Sequence, residues 1–509
     1  MSHLKVGRLE LSTRNNYKIN GKNAKRCFLL SEKSDKNLIL INTPKEYESS
    51  DKYILYDNNT KTIVNLLGSV GNREDDKSIY YYLFTYKWLS HKKYNLLFDF
   101  ILQNNYDICS SRIIYTKEII TVDPPDSLDL DDGFSIEEDD EYYYLDIHIA
   151  DPISYFDLSH EFIKPIFDEL INRISTCYIP HNNKINNLLP EEFVKKVTLI
   201  GENKRTILFK TIINKINNKI DFKIIFTIAT TKINNFSYQN FDKYLSHNLS
   251  FKNTLVSVTN ILIKNMYNHQ NTFSNLLSHE DNELSHKFIE NIMIWINFKT
   301  GNFLSSFSPK SIIRIQNIPE NISHEIQQIK SKDYSLFESI QNIIKSPASY
   351  EFSSHENNLH HSLGLNFYSH ISSPMRRFVD MYNHIIIHNR TDFIENYISQ
   401  KFNLEYLNHI VKIQKRLNNA YFLMNFVVNN PDTIFQAMIL KIKNSESDNT
   451  NNKIVSLVIY NITINFKKIF IMKIPFNDNI KILTPFEVKL CYNSSLFKNY
   501  IFPFSIVIL

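Results

Sequence analysis

An acidic run at residues 121–133, TVDPPDSLDLDDG, constrains the chain more than any other feature of its sequence. Leu128 and Leu130 alternate with acidic residues, which is the period of an extended segment whose apolar side is turned inward. Asp129 and Asp131 would then share the opposite face. The run contains five aspartates within ten positions, namely Asp123, Asp126, Asp129, Asp131 and Asp132.

The flanks of this run are apolar and predict two core strands, at residues 119–122 and 144–150. Carboxylates held this close to a core repel one another and raise each other's pKa values unless a cation lies among them. The run offers only oxygen ligands, with no His or Cys. That donor set favours a hard ion, Mg²⁺ or alternatively Mn²⁺.

Three simpler interpretations of the run compete. Acidic runs are commonly solvated loops, although the apolar flanks disfavour that here. A calcium loop of the EF-hand type with its glycine at Gly133 would place the first two ligands on Leu128 and Leu130, so that pattern fails. A helix N-terminus held by Asp132 would explain one carboxylate of the five.

The acidic run resembles the signature of the RNB family, the ribonuclease II, ribonuclease R and exosome-nuclease group of 3′-to-5′ exoribonucleases. Residues 148–151 (HIAD) are similar to the segment that follows it in that family. Residues 363–380 (LGLNFYSHISSPMRRFVD) match the family pattern LGL..Y.H.TSPIRRY.D nearly position by position. Blocks within 177–205 resemble its YLP, MLP and GEDR segments. The resemblance covers about residues 110–425.

The resemblance implies a role for each aspartate of the run. Asp123 and Asp132 would bind metal directly, and Asp129 would complete the metal site. Asp131 would be the catalytic carboxylate whose loss stops cleavage. Asp126 falls at a variable position of the family pattern.

The resemblance also assigns residues far from the acidic run. Arg376 would meet the scissile phosphate, because a guanidinium fork matches phosphate geometry; the alternative is a structural ion pair with Asp380. Tyr178 would pack against the 3′-terminal base or sugar, and the alternative is an ordinary core tyrosine. The other residues that would contact RNA are Arg377, Tyr368 and His370.

The length of 509 residues predicts three domains. With the resemblance, the expected fold class is α+β and multidomain. Residues 1–110 would form a cold-shock-like OB β-barrel and a linker, residues 111–430 a mixed α/β RNB catalytic domain, and residues 431–509 an S1-like OB barrel. Four cysteines without metal spacing predict a reduced, intracellular protein. We expect a cytoplasmic monomer with no signal peptide and no membrane association.

Hydrophobic periodicity predicts the secondary structure of the central region. The predicted strands are 142–149, 206–213 and 219–231. The predicted helices are 253–269, 282–299, 380–387 and 404–428. Polar loops are predicted around 237–250 and 317–331, and a further Asn/Ser-rich loop at 441–453.

The sequence therefore predicts a hydrolytic 3′-to-5′ exoribonuclease that degrades single-stranded RNA to 5′-nucleoside monophosphates by a carboxylate-bound two-magnesium mechanism. Two positions depart from the family pattern. Ala420 is followed by Tyr421 where the family has glutamate, and Gln316 stands in place of a histidine. These departures favour the alternative, a catalytically weak RNA-binding or adaptor protein with the same fold. A metal-dependent DNA nuclease is a third hypothesis.

Overall fold

A computed structural model describes most of the chain. The described residues are 3–13, 15–30, 38–43, 50–125, 127–181, 184–231, 233–267, 284–317, 348–443, 452–461, 466–475, 485–494 and 504–508. Asp126, most of the predicted polar loop at 317–331 and residues 444–451 of the Asn/Ser-rich segment lie outside them.

The first sheet is a small barrel. Its strands are β1 (Leu4–Leu9), β2 (Tyr17–Ile19), β3 (Lys22–Leu29), β4 (Leu38–Asn42), β5 (Lys52–Asp57) and β6 (Thr62–Ser69). The order is β1-β5-β6-β4-β3-β2, and an additional β1–β3 pairing closes it. Alternate side chains fill the interior, among them Leu9, Ile41 and Tyr56, each fully buried. Closure removes the free sheet edges, as in an OB-type barrel.

A seven-stranded mixed sheet forms the centre of the molecule, in the order β15-β8-β9-β10-β13-β14-β7. Its outermost pairs, β7 with β14 and β8 with β15, are parallel, and the others are antiparallel. The pairs β11–β12, β16–β17 and β18–β19 stand apart from it. The strands of this region are β7 (Ile113–Tyr115), β8 (Ile119–Asp123), β9 (Asp132–Glu138), β10 (Tyr142–Ala150), β11 (Cys177–His181), β12 (Lys184–Asn186), β13 (Lys204–Asn214), β14 (Ile220–Ala229), β15 (Ile233–Ser237), β16 (Ile312–Ile315), β17 (Ser349–Phe352), β18 (Leu359–His360) and β19 (Leu365–Asn366).

Nine longer helices are described: α1 (Arg73–Thr85), α2 (His91–Gln103), α3 (Lys164–Arg173), α4 (Glu191–Val197), α5 (Tyr238–His247), α6 (Leu249–Tyr267), α7 (Leu284–Phe307), α8 (Phe378–Ile387) and α9 (Leu404–Asn429). Shorter helical segments occupy Pro152–Tyr155, Glu161–Ile163, Thr391–Phe393, Ile394–Ile398 and Ser399–Lys401. The loop predicted at 237–250 is wrong, because α5 forms there. The Ser237 side chain caps it by accepting from the Asn240 N–H, and Phe241 and Leu245 bury one helical face.

A five-stranded antiparallel sheet ends the described chain, in the order β22-β21-β20-β23-β24. Its strands are β20 (Ile434–Lys443), β21 (Asn452–Asn461), β22 (Phe466–Pro475), β23 (Pro485–Tyr492) and β24 (Phe504–Ile508). One apolar cluster joins α1, α9 and this sheet, while a larger cluster fills the central region around the buried Trp295.

The predicted fold class, an α+β multidomain chain with β-structure at both ends of a mixed α/β centre, is confirmed. The domain boundaries at 110 and 430 stay predictions. None of the described helices combines the length and the hydropathy that a membrane span requires.

Candidate active site

Four aspartates meet where two neighbouring strands of the central sheet end. Asp123 closes β8 and Asp132 opens β9, and these strands pair antiparallel at Ile120 and Phe134. Asp129 and Asp131 precede β9 in the connecting loop. All four line one cleft of about 330 Å³, and Tyr178 and Arg376 complete its wall. The structure thus brings together residues that the sequence places up to some 250 positions apart.

The prediction that both leucines of the acidic run point inward is wrong for one of them. Leu130 is 4% exposed, whereas Leu128 is 56% exposed. Hydrogen bonds from other parts of the chain hold the end of the loop: the Leu130 N–H donates to Thr198 Oγ1, and the Ala150 N–H donates to the Asp131 carbonyl. The segment is therefore irregular until β9 begins. Because Asp132 opens a strand, the helix N-terminus alternative is excluded.

Burial makes the charged forms of these carboxyls unfavourable. It raises the pKa of Asp123 to about 7, with repulsion from Asp132 adding to the effect. It raises the pKa of Asp132 to about 6, and that of Asp131 well above its usual range. The positive charge of Arg376 opposes each of these shifts. A cleft with one nearby guanidinium and four carboxyls lacks enough positive charge to hold all four ionised.

The donor set fits divalent cations. The buried Oδ2 atoms of Asp123 and Asp131 have no hydrogen-bond partner among the described residues, and orphaned buried oxygens of this kind need a cation or water. Within the described ranges, no three of the aspartates bring one oxygen each within 4.8 Å of one another. The carboxylates therefore surround a space rather than one point.

The loop that carries Arg376 is fixed to this cleft by backbone hydrogen bonds. Asp131 Oδ1 accepts from the Met375 N–H at 2.8 Å, and Arg376 Nε lies 3.4 Å from Asp131 Oδ2. Asp380 accepts from the Ser373 N–H at 2.7 Å and from Arg377 at 2.8 Å. Asp380 thus pairs with Arg377, and the guanidinium of Arg376, with 43% of its side chain exposed, faces the cleft.

The aromatic and histidine candidates differ in their positions. Tyr178 on β11 is 39% exposed and lines the cleft, so it is not a core tyrosine. His370 Nδ1 lies 2.8 Å from the Tyr350 hydroxyl. Burial holds the pKa of His370 well below its usual range, so the ring is neutral. Tyr368 is 7% exposed, accepts from Asn297 Nδ2 at 3.3 Å, and lines neither this cleft nor the pocket beside it.

A second pocket of about 370 Å³ adjoins the cleft, and Tyr178 and Arg376 line both. We call it the arginine pocket. Its lining comes from five separate parts of the chain, and sequence reasoning missed those that carry no motif, among them Tyr350, Lys415 and Asn418. Its polar lining includes Arg314, Tyr350, His370, Arg377, Lys415 and Asn418.

Both departures from the family pattern have structural roles here. Tyr421 packs edge-on against Tyr80 of α1, with ring centroids 6.4 Å apart, so this position joins two helices. Gln316 Oε1 accepts from the Ser362 N–H at 2.8 Å. Neither side chain lines the cleft or the arginine pocket.

A second group of possible metal ligands consists of Cys109, Asp151 and His388, which bring ligand atoms within 4.8 Å of one another. Asp151 already pairs with Arg112 at 2.8 Å and accepts from His388 at 2.9 Å. Its charge is therefore compensated, and the group ties down the end of β10 behind the cleft. Ala150, the neighbour of Asp151, donates to the Asp131 carbonyl.

Comparison of the sequence with models of known protein families identifies the class of protein to which this fold and cleft belong. The family model described as the RNB domain matches residues 112–391, more than half of the chain. This chain belongs to the RNB family.

Among its relatives, ribonuclease R of Mycoplasmopsis pulmonis is 22% identical over an alignment of 352 residues that covers 57% of this chain and 46% of that protein. The chain thus spans about half the length of this curated relative. The structure of Mycoplasma genitalium RNase R in complex with ribose-methylated single-stranded RNA is 14% identical in sequence, with a TM-score of 0.64. The match covers 99% of this chain and 89% of that one. The structure of yeast Ssd1, described as a pseudonuclease, is 13% identical in sequence, with a TM-score of 0.64. The match covers 97% of this chain and 67% of that one.

Proposed function

We propose that this protein is a divalent-metal-dependent 3′-to-5′ exoribonuclease that hydrolyses single-stranded RNA to 5′-nucleoside monophosphates. The observation that carries the proposal is the cleft in which Asp123, Asp129, Asp131 and Asp132 face Arg376. Its donor set suits Mg²⁺ or Mn²⁺. We infer the polarity and the RNA substrate from the resemblance to RNB exoribonucleases, and the M. genitalium RNase R bound to single-stranded RNA supports RNA as the substrate.

The aspartates divide into metal-binding and water-orienting residues in this mechanism. Asp123, Asp129 and Asp132 would hold the cations. Bound cations of this kind supply hydroxide at neutral pH and offset charge on the phosphoryl oxygens. Asp131 has its Oδ1 occupied by the Met375 N–H. Its Oδ2, which has no hydrogen bond to a described residue and lies 3.4 Å from Arg376 Nε, would be the atom that orients the attacking water.

Arg376 and Tyr178 would position the end of the RNA. The guanidinium of Arg376 offers a fork of N–H donors to the scissile phosphate, and its charge stabilises the pentacoordinate transition state. Tyr178 presents an exposed ring beside it, on which a terminal base or sugar packs without sequence preference.

A ribose contact would distinguish RNA from DNA. Asn418 lines the adjoining arginine pocket, and its buried Oδ1 has no hydrogen-bond partner among the described residues. This acceptor suits a ribose 2′-hydroxyl. We therefore expect Asn418→Leu to reduce the preference for RNA over DNA, measured as the ratio of the two kcat/KM values.

The deciding experiment incubates the purified chain with 5′-labelled oligo(A), with Mg²⁺ or with EDTA. We expect a ladder that shortens from the 3′ end only with metal. Asp131→Asn should abolish the ladder while RNA retention in a gel survives, and the exposed Asp140→Asn should match the wild type. Intact but retarded RNA would instead support the second candidate, an RNA-binding adaptor, which the departures at Gln316 and Tyr421 favour. Equal degradation of a DNA oligomer would refute the RNA specificity.

A further inference from the structure

The arginine pocket lies beyond the aspartate cleft, and Tyr178 and Arg376 form the wall that the two share. At about 370 Å³ it is within the size range of small-ligand pockets, roughly 300–1,000 Å³. Because Tyr178 lines both cavities, a terminal nucleoside packed on its ring would border the arginine pocket as well as the cleft. The chemistry of this pocket therefore bears on which RNA ends are accepted.

A chain of hydrogen bonds joins three residues that line the pocket. Arg314 donates to the Tyr350 hydroxyl at 3.0 Å, and that hydroxyl lies 2.8 Å from His370 Nδ1. Because Arg314 can only donate, the hydroxyl accepts from it and has its own proton to donate to Nδ1 of the neutral His370 ring. Arg314 thus contacts a neutral phenol rather than a carboxylate.

The pocket also has an excess of positive charge. Three arginines and Lys415 line the pocket, and none of the described residues that line it is acidic. Arg377 pairs with Asp380 through one terminal nitrogen, yet its Nε is buried without a hydrogen-bond partner among the described residues. Arg314 and Lys415 form no ion pair with a described residue. One buried donor without a partner among the described residues and two cations without an ion pair to them, the half-buried Arg314 and the exposed Lys415, together favour an anionic, oxygen-rich ligand.

We propose that the arginine pocket receives a phosphate on the 3′ carbon of the terminal ribose, so that this protein degrades RNAs that end in a 3′-phosphate. The proposal rests on the proposed exoribonuclease function. In the first turnover the oxygen of water bonds to the scissile phosphorus, and the bond from that phosphorus to the 3′ oxygen of the penultimate nucleotide breaks. That oxygen takes a proton, a nucleoside 3′,5′-bisphosphate leaves, and the shortened RNA ends in a 3′-hydroxyl.

The test compares two 5′-labelled oligo(A) substrates that differ only in a 3′-hydroxyl or a 3′-phosphate, with Mg²⁺ present. We expect the 3′-phosphorylated RNA to be shortened with a first-turnover kcat/KM no lower than that of the 3′-hydroxyl RNA, and with release of adenosine 3′,5′-bisphosphate. Resistance of the 3′-phosphorylated end, with normal degradation of the other, would overturn the inference and leave the proposed function intact.

Variants identify the pocket as the cause. Arg314→Met and Lys415→Met should each lower kcat/KM for the 3′-phosphorylated RNA about tenfold more than for the 3′-hydroxyl RNA, since one charge-assisted contact to phosphate is lost. Lys412→Met, an exposed lysine of the same helix outside the pocket, is the matched control. Equal losses on both substrates would refute a phosphate-specific role.

Binding measurements keep the inference testable without catalysis. If neither RNA is degraded, the proposed function fails, and calorimetry on the same protein compares adenosine 3′,5′-bisphosphate with adenosine 5′-monophosphate. About tenfold tighter binding of the bisphosphate, lost in Arg314→Met, supports the pocket. Equal affinities overturn it.

Discussion

Replacing Asp123 by asparagine should stabilise the metal-free protein. The pKa of Asp123 is raised from 3.8 to about 7 by burial and by Asp132. At about 1.36 kcal/mol per tenfold change in proton affinity, a fully charged Asp123 would cost the fold at most about 4 kcal/mol at pH 8. Solvent reaches part of this side chain and screens its charge, so we expect the free energy of unfolding to rise by about 1–3 kcal/mol.

The same substitution should remove the stabilisation by divalent cations. A ligand that binds only the folded state adds about 2.7 kcal/mol when its concentration is 100 times its Kd. The wild type should therefore become more stable when Mg²⁺ or Mn²⁺ is added. Asp123→Asn lacks one metal-binding carboxylate, so added Mg²⁺ or Mn²⁺ should raise its stability only weakly. The variant is thus more stable without metal, less responsive to metal, and inactive.

Urea unfolding at about pH 8, with EDTA or with excess Mg²⁺, measures both effects. Asp151→Asn is the matched control of opposite sign, because the pKa of Asp151 is held below its usual range by His388 and Arg112 despite its burial. Removing that charge deprives the buried Arg112 of one of its two carboxylate partners, Asp107 being the other, and should destabilise the protein by roughly 1–3 kcal/mol. The electrostatic reasoning about the cleft is refuted if Asp123→Asn is less stable than the wild type in EDTA. It is also refuted if added Mg²⁺ raises the free energy of unfolding of the variant as much as that of the wild type.

Three further predictions follow from the same contacts. Without divalent ions, protonated Asp123 and Asp132 contribute stability that is fully present below their unfolded pKa of about 3.8. This stability is lost as the pH rises through their folded pKa values of about 7 and about 6. The urea midpoint of the metal-free wild type should therefore fall across that pH range more than the midpoint of Asp123→Asn. Asp380→Asn should lower kcat roughly 10–100-fold with little change in RNA affinity, because the loop that carries Arg376 is no longer held; an unchanged kcat would contradict this positioning role. Tyr178→Phe should retain affinity for the RNA end, whereas Tyr178→Ala should lose roughly 1–3 kcal/mol of it by RNA titration; equal behaviour of the two variants would exclude stacking.

Long, strongly periodic elements could be predicted from the sequence. The strand expected at 142–149 is β10 (Tyr142–Ala150), and the helix expected at 404–428 is α9 (Leu404–Asn429). Their local pattern and their tertiary packing agree. The segment 237–250 was misjudged because α5 (Tyr238–His247) buries only Phe241 and Leu245. Two apolar residues in ten give a weak periodic signal, and packing against α7 and β15 supplies the rest of the stability.

The candidate site could be predicted only in part, for a similar reason. The acidic run is local, so its carboxylates could be read as one group. The hydrogen bond from the Met375 N–H to Asp131 spans 244 positions, and no spacing rule reaches that far; the family pattern supplied the link to Arg376. The family pattern covers only part of the arginine pocket, around His370 and Arg377. The rest comes from residues 174–178, β16, β17 and α9, and only the tertiary fold brings Arg314 and Lys415 to one surface.

The resemblance in fold does not decide between a nuclease and an inactive binding protein, because yeast Ssd1, a pseudonuclease, has a similar fold. The carboxylates give better evidence. Without a cation, burial and mutual repulsion make Asp123, Asp131 and Asp132 costly to ionise. For a protein that only holds RNA, a negative cleft would also repel phosphate. An asparagine at any of these positions would relieve both penalties, and natural proteins lie close enough to their stability limit for such relief to matter. The presence of all four aspartates therefore favours the proposed metal-dependent chemistry over RNA binding alone.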